Sequence, residues 1–254
     1  MISISVEQLY ALINAIFWPF VRLLALFSTA PILQDASVPA RVKIALAIAC
    51  AILVAPTLAT HPVSSPFSGD GLMLLVQQIL IGTAMGIGMR IIFSAVELAG
   101  DIIGMQMGLS FAGYLDPSNS SDAPLLGSFL AIIASLILLA LNGHLLLIAA
   151  LIDSFNTIPI SAQPALAFDL QRLVVLGGEI FRVGLQLSMP VLATLLVLNM
   201  ALGVLSRAAP QLNPFAVGFP LTLLGGLFLL GLSMPYLGVA MERSLLEAIA
   251  TLMG

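Results

Sequence analysis

The sequence has few charged residues. Only 8 Lys and Arg and 12 Asp and Glu occur among its 254 residues, so 8% of the chain is charged, against about 25% in an average soluble protein. A water-soluble domain of this length needs more polar side chains to cover its surface. We therefore exclude a water-soluble enzyme and expect an exterior that meets lipid or the apolar faces of other subunits.

Cysteine, histidine and basic clusters are also scarce. A single cysteine, Cys50, excludes a scaffold held by internal disulfides. The two histidines, His61 and His144, lack the spacing of a zinc site. A net charge of −4 without a run of Lys and Arg argues against nucleic acid, whose phosphates attract basic side chains. The sequence thus predicts no metal, no cofactor and no nucleic-acid partner.

Long hydrophobic runs are what the sequence does contain. Hydrophobic residues make up 60% of the chain, and a helix of about 20 such residues crosses a hydrocarbon layer of about 30 Å. The runs are rich in Leu and Ala and lack a period of two, which favours helices over strands. We predict an all-α integral membrane protein. Its six long hydrophobic helices are Leu9 to Thr29, Ile44 to Ala59, Leu72 to Met89, Leu125 to Asn142, Leu187 to Ser206 and Phe215 to Met234.

Two segments fit a simple membrane hairpin badly. From Leu72 to Gly113 nothing except glycine opposes a continuous helix, which would run for about 63 Å and must kink, tilt or leave the membrane. From Asp169 to Leu187, polar Arg172, Glu179 and Gln186 recur every seven residues. This spacing predicts an amphipathic helix that lies at an interface or lines a protein channel, with a surface-seeking connector as the alternative.

The second half of the overlong segment carries a polar stripe. Arg90, Ser94, Glu97 and Asp101 are spaced by 4, 3 and 4 residues, which places them on one helix face. Glu97 and Asp101 would relay protons or bind a cation if they faced an aqueous path. The alternative is a structural ion pair with Arg90 or with a basic residue of a partner.

Small residues form a second line on this segment. Gly100, Gly104 and Gly108 recur every four residues. Such a line allows another helix to approach closely. We therefore expect this face to contact protein.

A charged residue interrupts the first hydrophobic run. An arginine in mid-membrane costs about 2.5 to 3.5 kcal/mol on insertion scales, so Arg22 needs a partner. We predict that Arg22 faces another subunit or a water-filled space. The alternative is that it extends to the interface, with its guanidinium among lipid headgroups.

The stretch from Gly104 to Leu126 is unusual in composition. It passes from a glycine-spaced helix through Met105 and Met107 into a polar loop. Asp116 followed by Pro117 stops a helix. Methionine and glycine beside an irregular loop would suit a closure that can re-pack, and an ordinary connection between helices is the alternative.

The chain lacks a catalytic set. Ser110 lies in Gly-Leu-Ser-Phe-Ala-Gly, which departs from the Gly-x-Ser-x-Gly turn of hydrolases and has no adjacent histidine. We therefore predict that the protein is not an enzyme.

Several stretches are specific in combination. They are Phe17 to Pro19, Leu23 to Leu26, Ser28 to Leu33, Ser37 to Lys43, Gln106 to Ala112, Asn142 to His144, Ala208 to Asn213 and Val217 to Leu221. Together they closely resemble the FliR family of flagellar biosynthesis proteins, and the resemblance runs nearly end to end.

This resemblance implies a subunit of the flagellar type III export gate in the bacterial inner membrane, within the flagellar basal body. It implies a fold of tilted, kinked helical hairpins. Members of the family assemble with FliP and FliQ, cooperate with FlhB and FlhA, and pass unfolded flagellar proteins. The resemblance also implies a FliP-like front part, residues 1–168, and a FliQ-like back part, residues 169–254. The related injectisome gate subunit is one alternative. A secondary transporter is less favoured, since the sequence shows no inverted repeat.

The resemblance further implies a pore plug from Ser110 to Pro124. A contribution of Met105 or Met107 to a methionine gasket is our own inference. The plug and gate residues are Met105, Met107, Gly108, Ser110, Phe111, Tyr114, Asp116 and Pro117. Residues expected in subunit packing and the polar stripe are Arg22, Arg90, Glu97, Gly100, Asp101, Gly104, Arg207, Pro210, Asn213, Gly218 and Pro220.

Overall fold

The protein is all-α throughout the residues that the structure describes. A computed structural model describes residues 6–58, 68–109, 125–160, 170–209 and 214–253. These ranges contain seven α-helices and one short 3-10 helix, Ala55–Thr57. The α-helices are α1 (Val6–Thr29), α2 (Ala40–Val54), α3 (Gly69–Gln106), α4 (Leu125–Ala140), α5 (Gly143–Thr157), α6 (Leu170–Ala208) and α7 (Pro214–Met253).

The predicted membrane-scale helices are confirmed. Among the described residues, α1, α3, α6 and α7 are long and apolar enough to span a membrane, and so is α2 together with the 3-10 helix that follows it. Helices α4 and α5 meet at 68° and give a sixth span if they form one broken crossing. The fold class predicted from the sequence is therefore correct.

Some helix bounds differ from the prediction. The amphipathic segment that starts at Asp169 and the run that starts at Leu187 form one helix, α6, because no residue between them stops a helix. Helix α7 also continues past Met234, and it does so although Pro235 removes one backbone donor from the helix interior. The predicted fourth helix ends early, since Asn142 adopts a left-handed φ of 54° and a separate helix, α5, follows.

The chain divides into two compact units. Unit 1 comprises residues 1–90, 142–176 and 247–254, and unit 2 comprises residues 91–141 and 177–246. This division follows contacts within the chain. The FliP-like front part and the FliQ-like back part concern similarity to other subunits, so they stay a prediction.

The core of unit 1 lies where α1 meets α2, α3 and α5. Its largest buried side chains are Trp18 and Phe27 of α1, which pack with smaller residues of the other helices. The smaller members include Ala47, Ala51, Val54, Leu74, Ile81, Met85, Ala150 and Leu151. Burial of these side chains removes apolar surface from water and holds the unit together.

In unit 2, helices α6 and α7 each leave much of their apolar surface exposed. The buried hydrophobic side chains of α6 are Val183, Leu187, Val191 and Leu195, a spacing of four residues that keeps them on one face. On α7, Leu224, Phe228 and Leu232 are 64–67% exposed. Outward faces of this kind need lipid or other subunits to cover them, as the composition predicts.

Candidate functional site

Arg22 lies at the centre of a buried polar cluster in unit 1. Its side chain is 0% exposed. Nε donates to Oε1 of Gln78 at 2.7 Å, and Nη1 donates to Oγ of Ser154 at 2.9 Å. Nη2 donates to the carbonyl oxygen of Ile158 at 3.1 Å, and the guanidinium lies 4.0 Å from the ring centroid of Phe155. The charge is thus satisfied by neutral acceptors and an aromatic face.

A glycine contact brings the partners of Arg22 together. A Cβ added to Gly82 of α3 would clash with the carbonyl oxygen of Arg22 and would lie 2.8 Å from Cβ of Ala25. The backbones of α1 and α3 therefore touch at this point. Gln78 lies one helical turn before Gly82, on the same face of α3, so the contact places its amide beside Arg22.

The prediction that Arg22 needs a partner is confirmed, but the predicted source of the partner is wrong. The guanidinium faces neither another subunit nor a water-filled space, and it does not extend to an interface. Its partners come from the same chain, because α1, α3 and α5 enclose it completely. Sequence reasoning missed Gln78 and Ser154, although each is a polar residue in an apolar helix.

The polar stripe on α3 lies partly at the surface of the chain. Arg90 donates from Nη1 to Oε1 of Gln34 at 2.7 Å. Glu97 is exposed and Asp101 is half-buried. Oδ1 of Asp101 has no hydrogen-bond partner among the described residues. A proton-linked role for the two carboxylates stays a hypothesis.

Helices α3 and α4 make a close backbone contact in unit 2. A Cβ on Gly100 would lie 2.6 Å from Cα and N of Gly127. A Cβ on Gly127 would clash with Oδ1 of Asp101. The expected close approach of a helix at Gly100 is therefore confirmed, and the approaching helix belongs to this chain.

The other two glycines of that line behave differently. A Cβ on Gly104 would meet side-chain atoms of Leu126 at 3.6 and 3.8 Å, which is ordinary contact. Gly108 lies beyond the end of α3 with a φ of 84°. Only the first of the three glycines thus brings two backbones together.

Gly108 ends α3 through a defined hydrogen-bond pattern. The N–H of Gly108 donates to the carbonyl of Met105, and the N–H of Leu109 donates to the carbonyl of Gly104, each at 3.0 Å. This pair of bonds, with glycine in the left-handed conformation, is the Schellman motif. It explains why the helix stops before Gly113, where the sequence alone allowed it to continue.

The two methionines beside this helix end occupy different environments. Met105 is 58% exposed, whereas Met107 is 0% exposed. The side chain of Met107 packs against Gly226 of α7, where an added Cβ would lie 2.5 Å from its Cγ. Met107 is therefore held inside unit 2, and a contribution of either methionine to a gasket stays a prediction.

The remaining predicted site residues are only partly described. Arg207, in the last turn of α6, and Pro220 of α7 are exposed, and Gly218 is half-buried. On α6, Arg182 forms an exposed ion pair with Glu179. Predicted residues outside the described ranges are Ser110, Phe111, Tyr114, Asp116, Pro117, Pro210 and Asn213.

The described residues offer no constellation for metal binding. No three His, Cys, Asp or Glu side chains within the described ranges lie close enough to hold a metal ion. What they do contain is a satisfied buried arginine, close helix contacts at glycine, and long apolar faces. The fold and these sites define an integral membrane protein built of helices.

Comparison with known proteins narrows this class. The family model "Bacterial export proteins, family 1" matches residues 13–248. The flagellar biosynthetic protein FliR of Escherichia coli K12 is 46% identical over 243 residues, 96% of this chain and 93% of that protein. FliR of Pectobacterium carotovorum is 47% identical over 225 residues, 88% and 85% of the two chains. FliR of Bacillus subtilis is 32% identical over 206 residues, 80% and 79%. The chain belongs to the FliR family of bacterial export proteins.

Proposed function

We propose that this protein is a non-enzymatic subunit of the flagellar type III export gate in the bacterial inner membrane. It helps to form and close the pore through which unfolded flagellar proteins leave the cell. The observation that carries the proposal is its match to flagellar biosynthetic proteins over nearly the whole chain. The relatives are named for flagellar biosynthesis, which favours this role over the injectisome alternative.

The exposed apolar faces support assembly with other subunits. Large apolar side chains are exposed along α2, α6 and α7, and such faces are covered by lipid or protein. We propose homologues of FliP and FliQ as the neighbours in a hetero-oligomer, with FlhB and FlhA as cooperating partners. Gentle purification in detergent followed by mass determination tests this. A chain that emerges alone or only with its own copies would favour a transporter.

The ends of residues 110–124 are held in a way that suits a plug. On one side, α3 ends in a Schellman motif and Met107 is packed on α7. On the other side, the first turn of α4 is packed on α3 through Gly127 and Gly100. Both flanks of the segment are therefore held by packing within unit 2. We propose that residues 110–124 block the pore while export is idle.

Deletion of Ser118 to Asp122 tests the plug. We expect the shortened segment to seal incompletely, so ion conductance through the assembled gate rises in membranes without export substrate. The matched control removes five residues, His61 to Ser65, from the connection between α2 and α3. Normal assembly with unchanged conductance in the first deletion would overturn the plug.

A further inference from the structure

The side chain of Met107, which follows α3, packs against α7. A Cβ added to Gly226 would lie 2.5 Å from Cγ of Met107 and 2.8 Å from its Sδ and Cε. Three consecutive heavy atoms of Met107 therefore lie across the bare backbone of Gly226. Because the packing is this close, position 226 has no room for a larger residue unless Met107 moves.

A second residue of α7 meets the backbone of Met107. Thr222 lies one helical turn before Gly226, on the same face. Its Oγ1 donates to the carbonyl of Phe219 at 3.0 Å and lies 3.4 Å from the carbonyl oxygen of Met107. We call Thr222 and Gly226 the Met107 socket. Both the side chain and the main chain of Met107 thus contact α7.

The socket lies at the point where the chain leaves α3. Gly108, with its φ of 84°, turns the chain immediately after Met107, and only Leu109 separates it from residue 110. The seat of Met107 therefore fixes the last described part of the chain, Gly108 and Leu109, directly before the proposed plug. A displaced Met107 would carry these two residues with it.

We propose that Thr222 and Gly226 are positioning residues for the plug, which they hold in register through Met107. This inference rests on the proposed function of residues 110–124. It assigns α7 a role that the spacing of its residues did not reveal. Neither residue need contact ions or export substrate for this role.

Adjacent glycines on α7 provide a matched pair of variants. A Cβ on Gly225 would meet only Cδ2 of Leu198, at 3.0 Å, which is the movable end of a side chain. G226A instead forces its methyl group into Met107. In the assembled, idle gate we expect G226A to raise ion conductance several-fold, while G225A stays close to the wild type.

A double variant tests whether the effect passes through Met107. M107A removes Cγ, Sδ and Cε, so it should raise conductance by itself and leave room for the methyl group of G226A. The second substitution should then add little, since the two residues act through one contact. The socket is overturned if G226A behaves like G225A, or if G226A gives the same fold-change with and without M107A.

Cross-linking separates the socket from the plug. In a C50S background, M107C and G226C should form a disulfide under mild oxidation in membranes, because the two positions are in contact. Absence of this cross-link overturns the socket whatever the conductance. A formed cross-link together with no leak from the deletion of Ser118 to Asp122 would instead overturn the plug. If G226A does not accumulate, T222V replaces it, and unchanged conductance in T222V then overturns the socket.

Discussion

The two compact units bury their polar groups in different ways. In unit 1, Arg22, Gln78 and Ser154 form one connected network that joins three helices. In unit 2, the buried hydroxyls of Ser188 and Thr222 donate to backbone carbonyls of their own helices. In unit 1, glycines of α3 also make close contacts with α1. Unit 2 has close glycine contacts as well, but its described residues include no buried charge.

This difference predicts two kinds of sensitivity. A hydrogen-bonded network is weakened most when one partner is removed and the others stay buried without it. A contact between bare backbones is weakened most when a methyl group is added. Unit 1 should therefore be most sensitive to loss of a polar group, and unit 2 to gain of volume.

The largest effect is expected from Arg22→Ala. The substitution leaves Oε1 of Gln78 and the carbonyl of Ile158 without their donor and opens a cavity. We expect a loss of about 3 to 5 kcal/mol in the free energy of unfolding. Thermal unfolding of the purified protein in detergent measures it.

Two variants sharpen this result. Arg182→Ala removes an exposed arginine from an ion pair with Glu179 and should change stability little. The double variant Arg22→Met with Gln78→Leu removes the charge and its acceptor together, so it should recover part of the loss. A loss from Arg22→Ala no greater than that from Arg182→Ala would contradict a stabilising network.

Three alanine substitutions on one helix line of unit 2 should give three outcomes. Gly100→Ala places a methyl group 2.6 Å from the backbone of Gly127 and should cost about 1 to 3 kcal/mol. Gly108→Ala forces a φ of 84° on alanine and should cost about 1 to 2 kcal/mol. Gly104→Ala meets only ordinary contacts and should be neutral or slightly stabilising, because alanine favours helix. Melting temperatures of the three variants rank them.

The ranking of the three melting temperatures, rather than any one value, tests whether α3 meets α4 at Gly100 alone. Equal melting temperatures would mean that α3 and α4 do not touch at Gly100. Destabilisation by Gly104→Ala as large as that by Gly100→Ala would mean that the whole line, and not one position, meets α4. Either result would remove the contrast between the two units.

Composition and helix rules predict most of the fold. Low charge and long apolar runs were sufficient for the all-α membrane class, since both follow from the solvent that the chain must meet. The need of Arg22 for a partner also followed from the cost of a buried charge. The predicted ends of the helices are less accurate. Helix α6 is one continuous helix because no residue stops it, but the amphipathic period of its first half suggests a separate helix.

The residues that complete each site depend on tertiary contact and could not be predicted. Gln78 and Arg22 lie 56 positions apart, and no local pattern links them. Gly225 and Gly226 look alike in the sequence, yet only the second receives Met107. Gly108 is the exception, because a glycine after a helical run is a recognised C-terminal signal.

The smallest effect should come from a polar contact that is not buried. Asp35, in the turn between α1 and α2, accepts a hydrogen bond from the N–H of Ser37 at 2.7 Å. Hydrogen bonds from Ser37, with the charge of Lys43, hold the pKa of this carboxyl below its ordinary 3.8. A carboxyl with a lowered pKa stabilises the fold above that ordinary value, and the contribution disappears as pH falls through the lower folded pKa.

Asp35→Asn keeps an acceptor for Ser37 but removes the charge. We expect a small drop in melting temperature at neutral pH, less than for Arg22→Ala or Gly100→Ala, because solvent screens the exposed group. The gap from the wild type should close as pH falls below 3.8. A gap that stays constant with pH would show that the ionised carboxylate does not act there. A gap as large as that of Arg22→Ala would show that burial is not what distinguishes the network of unit 1.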